Sequence, residues 1–382
     1  MTVVQSPRIL IVGGGIGGLT LGAQLAQRGF HAHIVEKTPQ WAPTGAGIIL
    51  GINAMRIMEN LGITDALLER GMLAGDTAIT DSRGRILSSI NMTALSKELG
   101  PSISIHRADL HDVLVTANAS NTLRLDTTLR DLLQGKDETN VTFSDGSTST
   151  YDLVIGADGL RSQVRDMIFG TTKYHYSGYT CWRFVVEGMP HIKRVQEMWG
   201  RGRRVGVVPI GGGKVYSFTT LNTSQGNPEM KNISVEKYKS IFGHFEGHVP
   251  EMLSQITEPT QLIHNDLEEI RLPSWTHGPI GLLGDAAHAM TPNMGQGAAM
   301  AIEDAFVLAE LLEAGGDMSK ILTAYEARRR PRVTWVQQQS WRIGKVAQWE
   351  SAVGCAVRNL AMKCTPDKVS ETSLRKLLVQ SI

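Results

Sequence analysis

Three glycines with a fixed spacing follow the first apolar run of the chain, residues 8–12, and precede a stretch with helical spacing. They are Gly13, Gly15 and Gly18. The next apolar run ends in an acid, Glu36. Glycines here let the backbone approach a pyrophosphate, the helix N-terminus supplies free N–H groups, and the acid can accept hydrogen bonds from ribose hydroxyls. A tight turn in an ordinary α/β protein is the alternative, but it gives Glu36 no function. The pattern predicts a dinucleotide site.

Two further segments combine an acid with glycine at the end of a predicted strand. Asp158 and Gly159 follow the apolar run 151–156, and on their own they could be only a turn. The segment 284–297 places Asp285 after another strand and then brings several glycines to the start of a long helix. Its carboxylate could hold ribityl hydroxyls, and the helix N–H groups could face the anionic edge of a flavin ring.

With these three segments in this order, the chain resembles the single-component FAD-dependent aromatic hydroxylases, the para-hydroxybenzoate hydroxylase family. The resemblance spans nearly the whole chain and implies non-covalent FAD. It implies that Arg107 contacts the ribityl or phosphate region, although a surface helix cap is the alternative for this residue. It also implies that Asp158 couples the FAD and nicotinamide sites, that Asp285 binds the ribityl chain, and that Pro292 lies near the reactive flavin carbon C4a. The cofactor-binding candidates are Gly13, Gly15, Ile16, Gly17, Gly18, Glu36, Lys37, Gly47, Arg107, Asp158, Gly284, Asp285, Pro292, Gly295, Gln296, Gly297 and Ala298.

Within this family the chain is most similar to the 2-alkyl-4-quinolone 3-hydroxylases, and segments outside the flavin motifs contribute to that likeness. They are residues 177–183, 199–200 with 204–206, 264–269, and 339–341 with 348–351. The chain is also similar to FAD-dependent urate hydroxylase, in which the counterparts of Arg204 and Tyr216 serve flavin and substrate. Both substrates are fused nitrogen heterocycles, which favours this class over the salicylate or hydroxybenzoate type.

The resemblance implies a reaction in which reduced flavin and dioxygen form a C4a-hydroperoxide that an electron-rich aromatic carbon attacks. Because no second glycine fingerprint is present, NADH or NADPH is expected to bind only transiently. Carbon 3 of a 4-quinolone becomes more nucleophilic as the ring N–H is lost, so an acceptor and a donor to the carbonyl are needed. Tyr216, His264 and Arg183 are candidates, with a core residue, a loop cap and an ion-pair partner as their respective alternatives. Arg204 and Pro292 complete the catalytic candidates.

The elements that position these residues predict an α/β (α+β) fold. We expect a Rossmann-like FAD-binding domain of the glutathione-reductase type, an inserted mixed β-sheet substrate domain and C-terminal helices. Pro331 and Pro366 are expected to interrupt those helices. The predicted boundaries are 1–72, 100–170 and 270–340 for the FAD domain, 73–99 and 171–269 for the substrate domain, and 341–382 for the helical end.

Charge and composition favour a small-molecule partner. The 382 residues include 38 basic and 37 acidic ones, which gives no overall field for nucleic acid or an anionic membrane. Three cysteines in neither disulfide nor zinc spacing indicate a reducing cytoplasm and no metal. The uncharged stretch 9–26 is too rich in glycine for a membrane helix. The expected partners are an aromatic or heteroaromatic substrate, dioxygen and NAD(P)H, and the chain is expected to be a monomer or homodimer.

An apolar row near the C-terminus has two interpretations. Trp349, Val353, Val357 and Leu360 recur at helical spacing and could be core or lid, or a surface that receives a hydrophobic substrate from a membrane. Two other functions also stay open, namely an isoprenoid epoxidase or reductase and a non-catalytic flavin-binding regulator.

Overall fold

The computed structural model describes residues 6–41, 46–135 and 138–379, so the predicted first and last segments include ends, 1–5 and 380–382, that lie outside the described residues. The strands are β1 Ile9–Val12, β2 Ala32–Val35, β3 Gly47–Leu50, β4 Met72–Leu73, β5 Thr77–Asp81, β6 Ile86–Ile90, β7 Ile103–His106, β8 Thr122–Arg124, β9 Leu129–Gln134, β10 Thr139–Phe143, β11 Thr148–Tyr151, β12 Leu153–Gly156, β13 Tyr174–Val186, β14 Val195–Trp199, β15 Arg203–Pro209, β16 Val215–Asn222, β17 Ile263–Ile270, β18 Thr276–His277 and β19 Ile280–Leu282. The helices are α1 Ile16–Gln27, α2 Ile52–Asn60, α3 Thr64–Arg70, α4 Met92–Leu99, α5 Arg107–Thr116, α6 Gln163–Phe169, α7 Pro228–Lys231, α8 Val235–Phe242, α9 Val249–Ser254, α10 Asp285–His288, α11 Gly297–Glu313, α12 Met318–Ala347, α13 Ala352–Cys364 and α14 Asp367–Val379.

A six-stranded sheet carries the three glycine-bearing segments. Its order is β18-β19-β12-β1-β2-β8, and all pairs are parallel except β18 with β19. β1 is fully buried, as expected for a central parallel strand of Ile, Leu and Val. Because β1, β12 and β19 run in the same direction, their carboxyl ends lie at one edge of the sheet. The predicted mixed α/β fold with a Rossmann-like sheet is confirmed.

A seven-stranded mixed sheet has the order β17-β13-β16-β15-β14-β5-β6. Side chains alternate between its faces because successive residues of a strand point to opposite sides. Trp182 and Phe184 of β13 are buried in a cluster with Tyr238 and Phe242 of α8. The opposite face of β13 carries Cys181 and Arg183, which line a cavity. One face of this sheet is therefore core, and the other is available to a ligand.

The predicted interruption at Pro366 is confirmed, because α13 ends at Cys364 and α14 begins at Asp367. The predicted interruption at Pro331 is wrong, since α12 runs through it. A proline inside a helix removes a hydrogen bond and costs about 3 kcal/mol. Buried ion pairs hold the turns on either side of it. Arg329 is 2.7 Å from both Glu303 and Asp304, and Arg332 is 2.7 Å from Glu303. Tertiary contacts therefore outweigh the tendency of proline to interrupt a helix. Among the described helices none combines the length and apolarity needed to span a bilayer.

Candidate functional site

The three glycine-bearing segments pack directly against one another. A Cβ placed on Gly13, whose φ is +113°, would lie 2.5 Å from the carbonyl oxygen of Ala157. A Cβ on Gly17 would lie 2.6 Å from Leu283 Cδ2. Gly13 N also donates to Val35 O at 2.8 Å. The first segment therefore touches the second and the third, and only glycine permits the approach at Gly13.

These segments and the free face of the seven-stranded sheet enclose a cavity of about 700 Å³. It brings together most of the residues that the sequence singled out. Those that line it are Gly15, Ile16, Gly17, Gly47, Arg107, Arg183, Arg204, Tyr216, Gly284, Asp285, Pro292, Gly295, Gly297 and Ala298.

Several groups in this cavity have unused hydrogen-bonding capacity. The side chains of Arg107 and Asp285 are exposed and have no hydrogen-bond or ion-pair partner within the described part of the chain. Helices α1 and α11 both begin without a side-chain cap, so their first N–H groups are free. A Cβ on Gly15 would meet nothing within 4 Å. The Arg107 cation, the Asp285 carboxylate and the N-termini of α1 and α11 surround open space. Together they fit the phosphates, the ribityl hydroxyls and the ring edge of FAD.

Four of the predicted cofactor residues do not line the cavity. The Glu36 carboxylate accepts from Gly14 N at 2.8 Å and from Thr38 N at 3.0 Å, so it fixes the glycine turn. Gly13 and Gly18 allow close packing, since a Cβ on Gly18 would lie 2.0 Å from Gly13 O. Lys37 is exposed and outside the cavity lining.

Asp158 and Gln296 also use their side chains within the protein. Asp158 accepts from Ser162 Oγ at 2.5 Å and from Gln163 N at 2.7 Å, and thereby caps α6. Burial raises the pKa of Asp158, and these hydrogen bonds oppose the rise. Gln296 Oε1 accepts from Asn53 Nδ2 at 3.0 Å, so the amide group points away from the cavity.

His264 lies on the wrong face of the sheet for the predicted contact with substrate. It pairs across the strands with Trp182, its ring packs 5.2 Å from that indole, and its Nε2 is 2.6 Å from Thr180 Oγ1. The next residue, Asn265, lines the cavity instead. A shift of one residue along a strand exchanges the two faces, and the sequence did not reveal which residue of this pair faces inward.

Asn265 belongs to a polar cluster on the substrate side of the cavity. Arg183 Nη1 donates to Asn265 Oδ1 at 2.9 Å, and its charge interacts with the neighbouring phenol of Tyr216. Burial raises the pKa of Tyr216 to about 12, although the neighbouring Arg183 charge lowers it. A Cβ on Gly47 would lie 2.5 Å from the Cβ of Tyr216, so Gly47 makes room for this tyrosine. Asn265 lies within the 264–269 segment that carried the subfamily resemblance.

Arg204 is the centre of a buried network rather than a free cation. It is 2% exposed and donates to Glu197 Oε1 and to Asn293 Oδ1, each at 2.8 Å, and to Gln348 Oε1 at 3.1 Å. Asn293 directly follows Pro292 and also donates to Ser340 O at 2.8 Å. Arg204 therefore holds the Pro292 loop against the sheet. Sequence reasoning missed Glu197, Asn293 and Gln348, although Gln348 lies in the tail segment 348–351.

Known proteins resemble this chain over nearly its whole length. The family model described as "FAD binding domain" matches residues 7–340. The chain belongs to this family. It is 37% identical to aurachin C monooxygenase/isomerase of Stigmatella aurantiaca, with 97% of each chain covered. It is 35% identical to 2-heptyl-3-hydroxy-4(1H)-quinolone synthase of Pseudomonas aeruginosa, with 94% of each covered. The structure of Klebsiella pneumoniae HpxO with FAD and uric acid shares the fold, with a TM-score of 0.89, 24% identity and 97% of each chain covered. The chain is an FAD-dependent monooxygenase of the aromatic hydroxylase family.

Behind the third segment, this monooxygenase contains a charge network that sequence reasoning did not find. Asp304 accepts from His288 Nε2 at 2.6 Å, from Arg329 Nε at 2.7 Å and from Gly284 N at 3.2 Å. Burial alone would raise the pKa of Asp304, but His288 and Arg329 lower it to about 2. The network fixes the backbone next to Asp285.

One cluster away from the cavity has metal-ligand chemistry, although the sequence predicted no metal. Ligand atoms of His191, His248 and Glu251 lie within 4.8 Å of one another. His191 Nε2 and Glu251 Oε2 are 3.3 Å apart, and both side chains are about half exposed. A surface ion pair between these two residues accounts for the arrangement.

Proposed function

We propose that this monooxygenase hydroxylates carbon 3 of a 2-alkyl-4-quinolone, with NADH or NADPH as electron donor and dioxygen as the source of the oxygen atom. The observation that carries the proposal is a pair of hydrogen-bond donors, Arg183 and Tyr216, that line the cavity beside its apolar side chains. The 35% identical quinolone synthase supports the same substrate class.

Bound FAD would accept a hydride from the nicotinamide and activate dioxygen. The first function of the chain is to bind FAD. We propose that Arg107 pairs with a phosphate, that Asp285 accepts hydrogen bonds from ribityl hydroxyls, and that the N-termini of α1 and α11 face the pyrophosphate and the pyrimidine end of the ring. The cavity positions and the free bonding capacity of these groups support the assignment.

The apolar wall suits a fused ring with an alkyl chain and helps to exclude water. It consists of Cys181, Val208, Phe218 and Leu267 on neighbouring strands of the seven-stranded sheet, which we propose as the substrate domain. Phe218 lies over Gly206, where a Cβ would be 2.0 Å from the phenyl ring. Excluding water matters because an activated oxygen species reacts wastefully with it.

The donor pair would act on the substrate's carbonyl oxygen. As the ring N–H is lost, negative charge moves to this oxygen, and the Arg183 guanidinium stabilises it. Tyr216 has a pKa of about 12, so below that pH it stays protonated and donates a hydrogen bond rather than acting as a base. Asn265 is a positioning residue, since its amide oxygen fixes Arg183 at 2.9 Å.

Anaerobic stopped-flow reduction of the holoenzyme by NADH or NADPH tests this proposal. We expect 2-heptyl-4-quinolone to accelerate flavin reduction. When dioxygen is then admitted, mass spectrometry should detect the 3-hydroxy product. Tyr216→Phe should lower kcat/KM about 10-fold, the value of one hydrogen bond. Tyr238→Phe removes a hydroxyl that bonds Thr219 on the opposite face, so it should leave kcat/KM unchanged. Equal losses in both variants, or no response to the quinolone, would contradict the proposal.

A carboxylate-bearing aromatic is the second candidate, because Arg183 donates to the amide oxygen of Asn265 and has no carboxylate partner within the described residues. Relatives of this type include 6-hydroxynicotinate 3-monooxygenase of Pseudomonas fluorescens, 34% identical over 88% of this chain and 91% of that one. The same stopped-flow panel should include 6-hydroxynicotinate, salicylate and urate. Acceleration by a carboxylate alone would favour this candidate, and Arg183→Gln should then raise KM far more than it lowers kcat.

A further inference from the structure

Helix α13 carries apolar side chains on the face that it turns to solvent. Val353, Val357 and Leu360 recur at helical spacing and are 74%, 58% and 63% exposed. Trp349, at 42%, and Val346, at 38%, continue the row from the end of α12. These five residues are called the apolar stripe below. The interpretation of the row as core is therefore wrong, whereas its interpretation as a lid stays a prediction.

The apolar stripe is a concentrated and firmly held surface. It contains five of the twelve large apolar side chains that are exposed in the described chain. The Trp349 ring packs on the first turn of α13, 3.5 Å from the Cβ position of Gly354. On the opposite side of α13, Arg358 is buried and donates to Ala347 O at 2.9 Å and to Gly200 O at 3.2 Å. A contiguous exposed row of this kind marks an interaction surface, whereas single exposed side chains do not.

Positive charge lies at both ends of the apolar stripe. Residues 341–364 include four basic residues and one acidic residue. Arg342 and Lys363 are exposed, and neither has an ion-pair partner within the described residues. The one acid, Glu350, accepts from Asn222 Nδ2 at 2.8 Å. An apolar row between free cations is complementary to a surface that is apolar inside and anionic at its boundary.

We propose that the apolar stripe binds the surface of an anionic lipid bilayer. Val353, Val357 and Leu360 enter the boundary of the acyl region, the Trp349 ring lies at headgroup level, and the basic ends approach lipid phosphates. A second copy of this chain is the less favourable occupant. In a two-fold dimer through this face, both ends of the stripe would oppose like charge, because the one acid of residues 341–364, Glu350, lies near the middle of that segment and not at its ends. The inference does not depend on which aromatic substrate the enzyme uses.

Flotation of the FAD-loaded enzyme with vesicles tests the proposal. We expect the enzyme to float with phosphatidylcholine vesicles that contain phosphatidylglycerol, and to do so less as salt is raised. Leu360→Ser combined with Val357→Ser should weaken the partition coefficient at least about 10-fold. Lys363→Gln combined with Arg342→Gln should abolish the preference for anionic vesicles. Leu133→Ser is the matched control, because Leu133 is 62% exposed and lies on the separate strand β9.

Four outcomes would overturn the proposal. The first is a wild-type enzyme that does not float with either vesicle. The second is equal loss of binding in Leu133→Ser. The third is dimerisation in analytical ultracentrifugation that Leu360→Ser abolishes, which would assign the stripe to a second copy. Tm and bound FAD should stay at wild-type values in the stripe variants. The fourth outcome is a Tm of these variants below that of Leu133→Ser, which would show that the stripe is packed against the protein.

Discussion

Two aspartates that follow strands of the six-stranded sheet use their carboxylates differently. Asp158, after β12, is already saturated by Ser162, Gln163 and Val164. Asp285, after β19, has no hydrogen-bond partner in the described chain and lines the cavity. The first carboxylate therefore contributes to folding, whereas the second is available for a ligand.

This difference predicts opposite phenotypes for the same substitution. Asp285→Asn should weaken FAD binding about 10- to 100-fold, because charge-assisted hydrogen bonds contribute about 1.5–3 kcal/mol. The apoprotein's Tm should not fall, since no bond within the chain is lost. Asp158→Asn should lower the apoprotein's Tm, because it weakens the cap of α6. Flavin fluorescence titration and thermal unfolding of the apoproteins measure the two effects, and a lower apoprotein Tm in Asp285→Asn would contradict this division.

At the scale of elements, two glycines of the loop between β1 and α1 have different functions. Gly13 allows close packing, whereas Gly15 faces the cavity. Gly13→Ala should destabilise the fold, because φ is +113° and the new Cβ would lie 2.5 Å from Ala157 O. The backbone strain alone costs about 1–3 kcal/mol. Gly15→Ala should leave the apoprotein's free energy of unfolding nearly unchanged, since its Cβ meets nothing within 4 Å. It should still weaken FAD binding, because the methyl enters the cavity. Urea unfolding and FAD titration of both variants check this, and equal destabilisation would refute it.

The elements also show what the sequence could predict. The spacing of Gly13, Gly15 and Gly18 after an apolar run determines a strand, turn and helix locally, and parallel pairing then brings the three segments to one edge. The choice between His264 and Asn265 depends on the register of β17 against β13, which local pattern does not encode. Pro331 was misjudged for a similar reason, because its helix is held by ion pairs to a distant helix. Contacts between distant segments are therefore where sequence reasoning failed.

At the scale of the whole molecule, the Asp304 network joins three parts of the chain behind the site. Asp304 of α11 contacts His288 of α10 and Arg329 of α12, and all three side chains are buried. Glu303, the preceding residue, bonds Arg329 and also accepts from Asn53 of α2 at 2.7 Å. The network couples the global fold to the backbone that presents Asp285, so acid should affect both together.

The pKa of Asp304 sets the pH range in which acid destabilises this network. Burial would raise it, but His288 and Arg329 lower it from 3.8 to about 2. Because the pKa is depressed in the folded state, the stabilisation by the Asp304 carboxylate is fully present above about pH 4 and is lost as the pH falls toward 2. Its size is about 2 kcal/mol. Asp304→Asn should lose several kcal/mol at neutral pH, because it leaves Arg329 with one buried partner fewer. Between pH 4 and 2 the variant should then lose less stability than wild type, since the group that titrates is gone. Urea unfolding of both proteins across this range measures the difference, and parallel curves would show that Asp304 does not titrate there.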